Sequence, residues 1–235
     1  MTDPSLRSFP PGGTAVVIGA TGGIGGAVAD AVEASGAFAR TVRLHRRSDP
    51  PLDLTDEASI EAAAASLGGE ELRLVFVATG FLHGDGVEPE KSLRRITPEG
   101  LARNLALNTI GPALLLKHFA PLLPREGRSV LAMVTAKVGS IADNDLGGWY
   151  SYRASKAAQN QLIRTAGIEV ARTRPGALLV ALHPGTVRSD LSAPFAKSGL
   201  TVRPPAESAA AMLRVVDGLT ETGTFRGYDG AVIPW

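Results

Sequence analysis

A phenol and an ammonium group lie four residues apart in the segment Tyr152-Arg153-Ala154-Ser155-Lys156. If this segment is helical, both side chains project from one face, because residues i and i+4 are neighbours on a helix. A tyrosine ionises at about pH 10, and a nearby ammonium lowers that pKa by favouring the phenolate. Tyr152 could then give a proton to a carbonyl oxygen while a hydride reaches the carbonyl carbon. The pair alone occurs by chance in many helices, so its meaning depends on the rest of the chain.

A glycine-rich turn near the start of the chain supplies the second piece of chemistry. Gly19-Ala20-Thr21-Gly22-Gly23-Ile24-Gly25 follows an apolar run, Thr14–Ile18, and opens an alanine-rich stretch, Ile24–Ala34. In a strand, turn and helix, such glycines allow a tight turn and close approach of a phosphate to the helix N-terminus. Sterics alone can also make such a turn glycine-rich. The predicted nucleotide contacts are Gly19, Thr21, Gly22, Gly23, Ile24 and Gly25.

The end of the second predicted strand bears on which nicotinamide cofactor is bound. An NAD site usually has a carboxylate there, about 20 residues after the turn, for the ribose hydroxyls. This chain has His45-Arg46-Arg47 instead. Because a guanidinium pairs in a bidentate manner with a 2′-phosphate, we expect NADP rather than NAD, with Arg46 as the main contact and Arg47 as a second. The alternative is that both arginines are solvated surface charges.

Asp53 and Leu54 follow in the next loop and are also candidate cofactor contacts. The Asp53 carboxylate could meet the adenine amino group. It could equally belong to the N-terminal cap of the next helix, where aspartate is favoured.

Two further parts of an acid/base site are predicted between these motifs. Asn108 lies four residues before Pro112 in the predicted helix Pro98–Leu123, and proline has no N–H to bond the Asn108 carbonyl. We expect a kink there. The Asn108 carbonyl then either holds a water of a proton relay, or is satisfied by a water in a kink that serves packing alone. A hydroxyl that polarises a substrate carbonyl should follow the next strand, and Thr135 and Ser140 are the candidates.

The elements that must hold these groups alternate between apolar strands and helices. We predict strands at Thr14–Ile18, Thr41–Leu44, Leu72–Ala78, Ser129–Val134, Leu178–Leu182 and Gly230–Trp235, and helices at Ile24–Ala34, Asp56–Leu67, Pro98–Leu123, Tyr152–Ala171 and Glu207–Gly218. This rhythm requires crossover helices on both faces of a sheet, so it predicts an α/β, three-layer Rossmann fold with a doubly wound parallel sheet. We expect residues 13–235 to form this single domain and residues 1–12 to be a flexible polar lead-in.

The overall composition disfavours several classes of function. The chain has 235 residues, no cysteine and a net charge of +1. Without cysteine there is no disulfide or thiolate nucleophile, and a near-neutral charge does not favour nucleic acid or an anionic membrane as partner. No apolar run reaches the ~18 residues of a membrane span, and the N-terminus does not resemble a signal peptide, so we expect a cytoplasmic protein. His83 and His183 stand beside glycine or proline and are expected to be loop residues, so we predict no metal site.

Taken together, these motifs resemble the short-chain dehydrogenase/reductase family over nearly the whole chain. The family's glycine signature matches Gly19-x-x-x-Gly23-x-Gly25, and its catalytic asparagine, tyrosine and lysine match Asn108, Tyr152 and Lys156. Residues 147–156 are similar to a subgroup that includes C-factor-like bacterial proteins and sniffer-type carbonyl reductases. The resemblance implies an NADP-linked reductase of a ketone or aldehyde, a homo-oligomer such as a dimer or tetramer, and a second role for Lys156 at the cofactor ribose.

Further cofactor contacts are implied by the same resemblance. Pro184-Gly185-Thr186-Val187-Arg188-Ser189 resembles the family's Pro-Gly segment, with Val187 beside the nicotinamide carboxamide and Ser189 where threonine is commoner. The family's Asn-Asn-Ala-Gly reads Val77-Ala78-Thr79-Gly80 here, which puts Ala78, Thr79 and Gly80 on the adenine side.

The position of the family's catalytic serine stays open between two ways of counting. Counting along the strand favours Thr135, whereas counting back from Gly139 leads to Ala136, and Ser140 could fold back instead. The substrate pocket is expected among the loops after the strands, with Leu191–Leu200 as a lid that orders on binding.

Two other functions are kept as alternatives. An NADP(H)-binding sensor with little or no turnover is favoured by the uncertain serine and disfavoured by the intact Tyr152–Lys156 pair. A sugar-nucleotide epimerase or dehydratase usually carries an additional C-terminal substrate domain, for which the stretch after Pro184-Gly185 leaves little room.

Overall fold

The structure, a computed structural model, describes residues 4–84, 86–188 and 202–235. The strands in these ranges are β1 (Thr14–Ile18), β2 (Arg40–Leu44), β3 (Leu72–Val77), β4 (Ser129–Val134), β5 (Ala177–His183) and β6 (Thr224–Gly227). They form one parallel sheet in the order β2-β1-β3-β4-β5-β6. The α-helices are α1 (Gly23–Ser35), α2 (Glu57–Ala65), α3 (Pro98–Leu105), α4 (Gly111–Phe119), α5 (Tyr150–Ala171) and α6 (Pro205–Asp217).

Helices cover both faces of this sheet, which confirms the predicted three-layer Rossmann fold. Residues of α1 and α6 share one apolar core with one face of the strands, and residues of α2, α4 and α5 share the other. Along β1, Val16 and Ile18 enter one core while Ala15 and Val17 enter the other. The central strands β1, β3, β4 and β5 are buried on both faces, so they read as continuous apolar runs, and this is why the sequence pattern located them.

The order of the strands reverses at β1. The chain passes from β1 through α1 to β2 on one side, and β3 then pairs with the other side of β1. In doubly wound sheets, ligands bind in the crevice outside the carboxyl ends of the strands at this switch point. The glycine-rich turn follows β1 at that position.

The helix predicted over Pro98–Leu123 changes its form next to Pro112, where we expect a kink. Ala106–Ile110 form a π-helical turn between α3 and α4, and Asn108 lies at its centre. The Gly111 N–H bonds to the Ala106 carbonyl five residues back, and Pro112 then contributes no N–H. A wider turn therefore absorbs the missing hydrogen bond.

The prediction of a final strand at Gly230–Trp235 is wrong. The last strand is β6, and the following residues turn back on it, with Gly230 at a φ of 85° and its N–H bonded to the Gly227 carbonyl. Only an isolated antiparallel bridge joins Val232 to Arg226. The apolar residues after the turn suggested a strand of their own, but they pack back against β6.

Two residues of the segment that we expected to be a lead-in pack against the domain. Leu6 is 1% exposed and Phe9 is 6% exposed, and both belong to the core formed with α1 and α6. The Phe9 ring meets the Phe38 ring edge-on, with 5.2 Å between centroids, and the Arg128 guanidinium lies over its face. Two apolar residues among polar neighbours are enough to anchor this segment.

No helix in the described ranges is both long and apolar enough to cross a membrane.

We expect Leu6→Ala to lower the free energy of unfolding by about 2–3 kcal/mol, because it removes a fully buried side chain and leaves a cavity. Urea denaturation measures this loss. Leu93→Ala is the matched control, since Leu93 is 69% exposed and its truncation should change stability by less than about 0.5 kcal/mol. Equal effects of the two substitutions would contradict an anchored N-terminal segment.

Candidate active site

A cleft of about 550 Å³ opens at the carboxyl ends of β1 and β3. Four segments line it, namely the glycine-rich turn after β1, the loop after β2, the loop after β3, and the stretch of α3 and the π-helical turn that contains Arg103 and Leu107. The predicted cofactor contacts among its lining residues are Gly19, Thr21, Gly22, Arg46, Asp53, Leu54, Ala78, Thr79 and Gly80. The topology therefore gathers most of the predicted nucleotide-binding residues into one crevice.

The glycines of the turn are required by close backbone contacts. Gly19 has a φ of 84°, and a Cβ there would lie 2.8 Å from the Ala78 carbonyl oxygen. A Cβ on Gly25 would lie 2.2 Å from the Gly19 carbonyl oxygen. Gly23, Ile24 and Gly25 belong to the first turn of α1 and are not among the residues that line the cleft.

The N-terminus of α1 is suited to an anion. Gly22 at the cap position provides no side-chain hydrogen bond, and the first turn contains no acidic residue. The first N–H groups of a helix have no acceptor within it and carry the positive end of its dipole. The backbone around Gly22 can therefore receive a phosphate.

Asp53 lies on the rim of the cleft together with Arg46. The N–H and hydroxyl of Thr55 donate to its Oδ1 at 2.8 and 2.7 Å, and these bonds hold the pKa of the Asp53 carboxyl below its usual range, with help from Arg46. The cap of α2 is instead Asp56, whose side chain accepts from the Ala58 N–H. Of the two roles considered for Asp53, the helix cap therefore belongs to Asp56.

The two arginines of the predicted phosphate site are placed differently. Both are exposed, but only Arg46 lines the cleft. The Arg47 N–H donates to Nδ1 of His45 at 3.1 Å. Arg46 is thus better placed than Arg47 to contact a 2′-phosphate in the cleft.

Tyr152 and Lys156 lie on α5 and are both buried, at 8% and 2% exposure. The Lys156 Nζ is 6.0 Å from the centroid of the Tyr152 ring, and it donates to Oε1 of Gln159 at 2.8 Å and to the Val134 carbonyl at 3.4 Å. Burial raises the pKa of Tyr152 and lowers that of Lys156 to about 7. The expectation that Lys156 depresses the pKa of Tyr152 is thus corrected, because desolvation opposes both the phenolate and the ammonium.

The side chain of Asn108 ties three segments together beside this pair. Its Oδ1 accepts from the Phe81 N–H and its Nδ2 donates to the Phe81 carbonyl, both at 2.8 Å, while Nδ2 also reaches the Ser155 Oγ at 3.1 Å. A Cβ on Gly80 would lie 3.6 Å from the Lys156 Nζ and 3.8 Å from the Asn108 Oδ1. Asn108, Lys156 and the loop after β3 therefore meet at one point.

The two candidate hydroxyls have different surroundings. The Ser140 hydroxyl donates to the Pro234 carbonyl at 2.6 Å and accepts from the Asp143 N–H at 3.1 Å. These bonds tie the Ser140 hydroxyl to the C-terminal segment. The buried Thr135 Oγ1 has no hydrogen-bond partner among the described residues, which leaves Thr135 as the candidate.

The Pro-Gly segment follows β5 and does not line the cleft. Gly185 has a φ of 77° and packs against the Tyr228 ring, while the Pro184 carbonyl accepts from the Ser208 hydroxyl at 2.7 Å. Val187 is buried and forms a parallel bridge with Arg203. The predicted contact Ser189 and the predicted lid Leu191–Leu200 lie outside the described residues.

Of the two histidines that we expected in loops, His83 lies in the loop after β3, whereas His183 is the last residue of β5, so the expectation is wrong for His183. His83 lines the cleft, and Nδ1 of His183 accepts from the Lys137 N–H at 3.3 Å. Burial lowers the pKa of His183 to about 4. Within the described ranges, no three His, Asp or Glu side chains are grouped to hold a metal ion.

The sequence reasoning missed Gln159 and Ser155. Gln159 is 1% exposed and provides the acceptor for the Lys156 amine, and Ser155 links Asn108 to the Tyr152 carbonyl. A signal was present, since Gln159 stands seven residues after Tyr152 and three after Lys156, which places it on the same helix face. A polar residue on a buried face needs a partner, and here that partner is the lysine.

Comparisons with known proteins agree with this geometry. The sequence profile of enoyl-(acyl carrier protein) reductase matches residues 19–218. A 1-hydroxy-2-glutathionyl-2-methyl-3-butene dehydrogenase of Rhodococcus sp. (strain AD45) is 34% identical over 191 residues, which is 80% of either chain. The C-signal protein of Myxococcus xanthus is 38% identical over 138 residues, covering 57% of this chain and 78% of that protein.

Among solved structures, the NADPH-bound carbonyl reductase from chicken fatty liver superposes with a TM-score of 0.82 and 29% sequence identity, covering 96% of this chain and 100% of that one. With the glycine-rich turn, the switch-point cleft and the clustered asparagine, tyrosine and lysine, these similarities show that the chain belongs to the short-chain dehydrogenase/reductase family of oxidoreductases.

Proposed function

We propose that this protein is an NADPH-dependent reductase of a ketone or aldehyde. The observation that carries the proposal is the meeting of Tyr152, Lys156 and Asn108 beside a cleft that has Arg46 on its rim. When bound, the cofactor would supply the hydride. The similarity to an NADPH-bound carbonyl reductase supports the same choice of cofactor and substrate class.

The residues of the cleft fit a dinucleotide. The turn packs so closely that a Cβ on Gly19 or Gly25 would collide with backbone, which leaves the N-terminus of α1 open to a diphosphate. We assign the 2′-phosphate to Arg46, the adenine to Asp53, and the ribose next to the nicotinamide to Lys156. The Thr79 Oγ1 is buried without a partner among the described residues, which agrees with a polar ligand at this wall.

We assign Tyr152 as the donor of the proton that the substrate oxygen receives. Because burial raises its pKa, the phenol stays protonated and can donate to the substrate oxygen as negative charge develops there. A charged Lys156 would then stabilise the phenolate that remains. We assign Thr135 to polarise the substrate carbonyl, since its hydroxyl is uncommitted among the described residues.

We assign one role to the side-chain amide of Asn108 and a second role to its main-chain carbonyl. Its amide fixes the loop after β3 against α5 through Phe81 and Ser155. Its carbonyl lies in the π-helical turn before Pro112, and we keep the proposal that this carbonyl holds a water of a proton relay to Lys156.

We expect Tyr152→Phe to lower kcat by about 10³-fold, because the proton donor is lost. NADPH affinity should stay within about threefold. Consumption of NADPH with a panel of aldehydes, ketones and diketones, together with a binding titration, measures both quantities. Tyr150→Phe removes a hydroxyl from the same helix and is the matched control. Tight NADPH binding without turnover by the unmutated protein would favour the sensor function instead.

Arg46→Ala should weaken NADPH binding by about 10- to 100-fold while leaving NADH binding nearly unchanged, because one charge-assisted pair with the 2′-phosphate is removed. Arg47→Ala is the control and should have a small effect, since Arg47 does not line the cleft. Fluorescence titration with both cofactors measures the difference. A larger loss with Arg47→Ala would contradict the assignment.

The Lys156 amine is charged below its pKa of about 7 and neutral above it. We therefore expect kcat/KM for NADPH, which reports ionisations of the free enzyme, to fall as the pH rises through this value. Gln159→Leu removes the acceptor that favours the ammonium, so the fall should move about one pH unit lower. The control is Gln161→Leu on the exposed side of α5. Identical pH profiles for both variants would disprove the role of Gln159.

A further inference from the structure

The helix that carries Tyr152 and Lys156 has no cap from its own first residues. Trp149 occupies the N-cap position of α5 with φ 53° and ψ 44°, in the left-handed region, and its side chain makes no capping hydrogen bond. Buried helix ends need acceptors for their first N–H groups. Acceptors for this helix must come from elsewhere in the chain.

Glu90 supplies them from a distant segment. Its Oε2 accepts from the Ser151 N–H at 3.1 Å, and its Oε1 accepts from the Ser151 hydroxyl. Its main-chain carbonyl accepts from the Trp149 N–H at 2.5 Å. Glu90 is 5% exposed, so one buried residue holds two of the three residues that precede Tyr152, namely Trp149 and Ser151.

The same carboxyl group lies against the start of a second helix. A Cβ on Gly100, in the first turn of α3, would lie 3.7 Å from the Glu90 Oε1 and 3.8 Å from the Ser151 Oγ. The N-termini of α3 and α5 therefore converge on one acidic side chain, which the positive ends of both helix dipoles favour. α3 leads into the turn with Asn108, so both helices with proposed catalytic groups share this contact.

We propose that Glu90 is a positioning residue that sets the place of Tyr152 through Trp149 and Ser151. The Trp149 ring packs edge-on to the Tyr152 ring, with 6.2 Å between centroids and an interplanar angle of 68°. A non-glycine residue keeps a left-handed conformation only where its surroundings impose it. Here the bond from the Trp149 N–H to Glu90 imposes it, and thereby turns the indole ring toward the phenol.

The catalytic part of this proposal rests on the proposed reductase function. Glu90 does not line the cofactor cleft, whose lining from this segment ends at Gly84. Its loss should therefore disturb the proton donor and leave the cofactor site intact. A loss of turnover with unchanged cofactor binding therefore distinguishes a positioning role from a general structural role.

The test compares Glu90→Ala, Glu90→Gln and Glu90→Asp with the unmutated protein. Glutamine keeps an acceptor for the Ser151 N–H and can donate to the Ser151 Oγ. Aspartate keeps the carboxyl group, but its side chain is one methylene shorter, so that group lies farther from Ser151. We expect kcat to fall by about tenfold or more in the alanine and aspartate variants, with NADPH affinity within about threefold, and we expect glutamine to restore kcat to within about threefold. The matched control is Glu88→Ala, an exposed neighbour.

A second measurement does not depend on turnover. Amide hydrogen exchange at Ser151 should speed up about tenfold or more in Glu90→Ala, and much less in Glu90→Gln. Emission from Trp149 should shift in the alanine variant, measured in a Trp235→Phe background because the chain has two tryptophans. Both readouts test whether Glu90 holds Ser151 and Trp149 in place, even if the unmutated protein reduces no carbonyl. Such a lack of turnover would contradict the proposed reductase function but not the structural role of Glu90.

Three results would overturn the proposal. One is a kcat for Glu90→Asp within about threefold of the unmutated protein, which is informative even where the alanine variant does not fold. Another is unchanged exchange at Ser151 in a folded Glu90→Ala protein. The third is a parallel loss of kcat, NADPH affinity and melting temperature in every variant, glutamine included, because that pattern belongs to a general structural role.

Discussion

A buried amine next to a buried phenol is the constraint around which this site is built. Desolvation penalises the charged form of each group, so the polar atoms around them must be supplied by the protein. Gln159 and the Val134 carbonyl face the Lys156 amine, and the backbone of Gly80 approaches it without a side chain. On the other side, a Cβ on Gly139 would lie 2.8 Å from the Lys156 Cβ. The Lys156 side chain is therefore surrounded by two glycines, Gly80 and Gly139, which leave room for it, and by two acceptors for its amine.

The π-helical turn solves the related problem of bringing Asn108 to this point. Proline removes one hydrogen bond from the helix, and the turn widens over Ala106–Ile110 instead of breaking. One fully buried amide then bonds to Phe81 and Ser155, and so joins the loop after β3 to α5. Because a buried polar network stabilises a single arrangement only when its members are satisfied, the local irregularity of the helix contributes to the rigidity of the site. The π-helical turn before Pro112 therefore contains the residue that joins these two segments.

Local patterns predicted the parts of the fold that local physics determines. Apolar runs located β1 and β4 because both faces of the sheet are buried, and the spacing of Tyr152 and Lys156 placed them on one helix face. Contacts between distant residues left no such pattern. The Ser140 hydroxyl bonds to Pro234, which lies 94 residues away, so its candidacy could not be settled from spacing. Leu6 reads as part of a polar segment, and only the packing of the helices around it determines that it is buried.

Two buried hydroxyls at the carboxyl ends of neighbouring strands have no hydrogen-bond partner among the described residues. A buried polar atom without a partner costs free energy, so native structures retain few of them unless a ligand completes the bond. Thr135 follows β4 and Thr79 follows β3, two strands that are neighbours in the sheet, and the Oγ1 of each is buried without a partner in the described chain. Ala136, the other position considered for the family's serine, has no hydroxyl to offer. The unmet hydrogen bond of Thr135 is therefore the observation on which its proposed role at the substrate carbonyl rests.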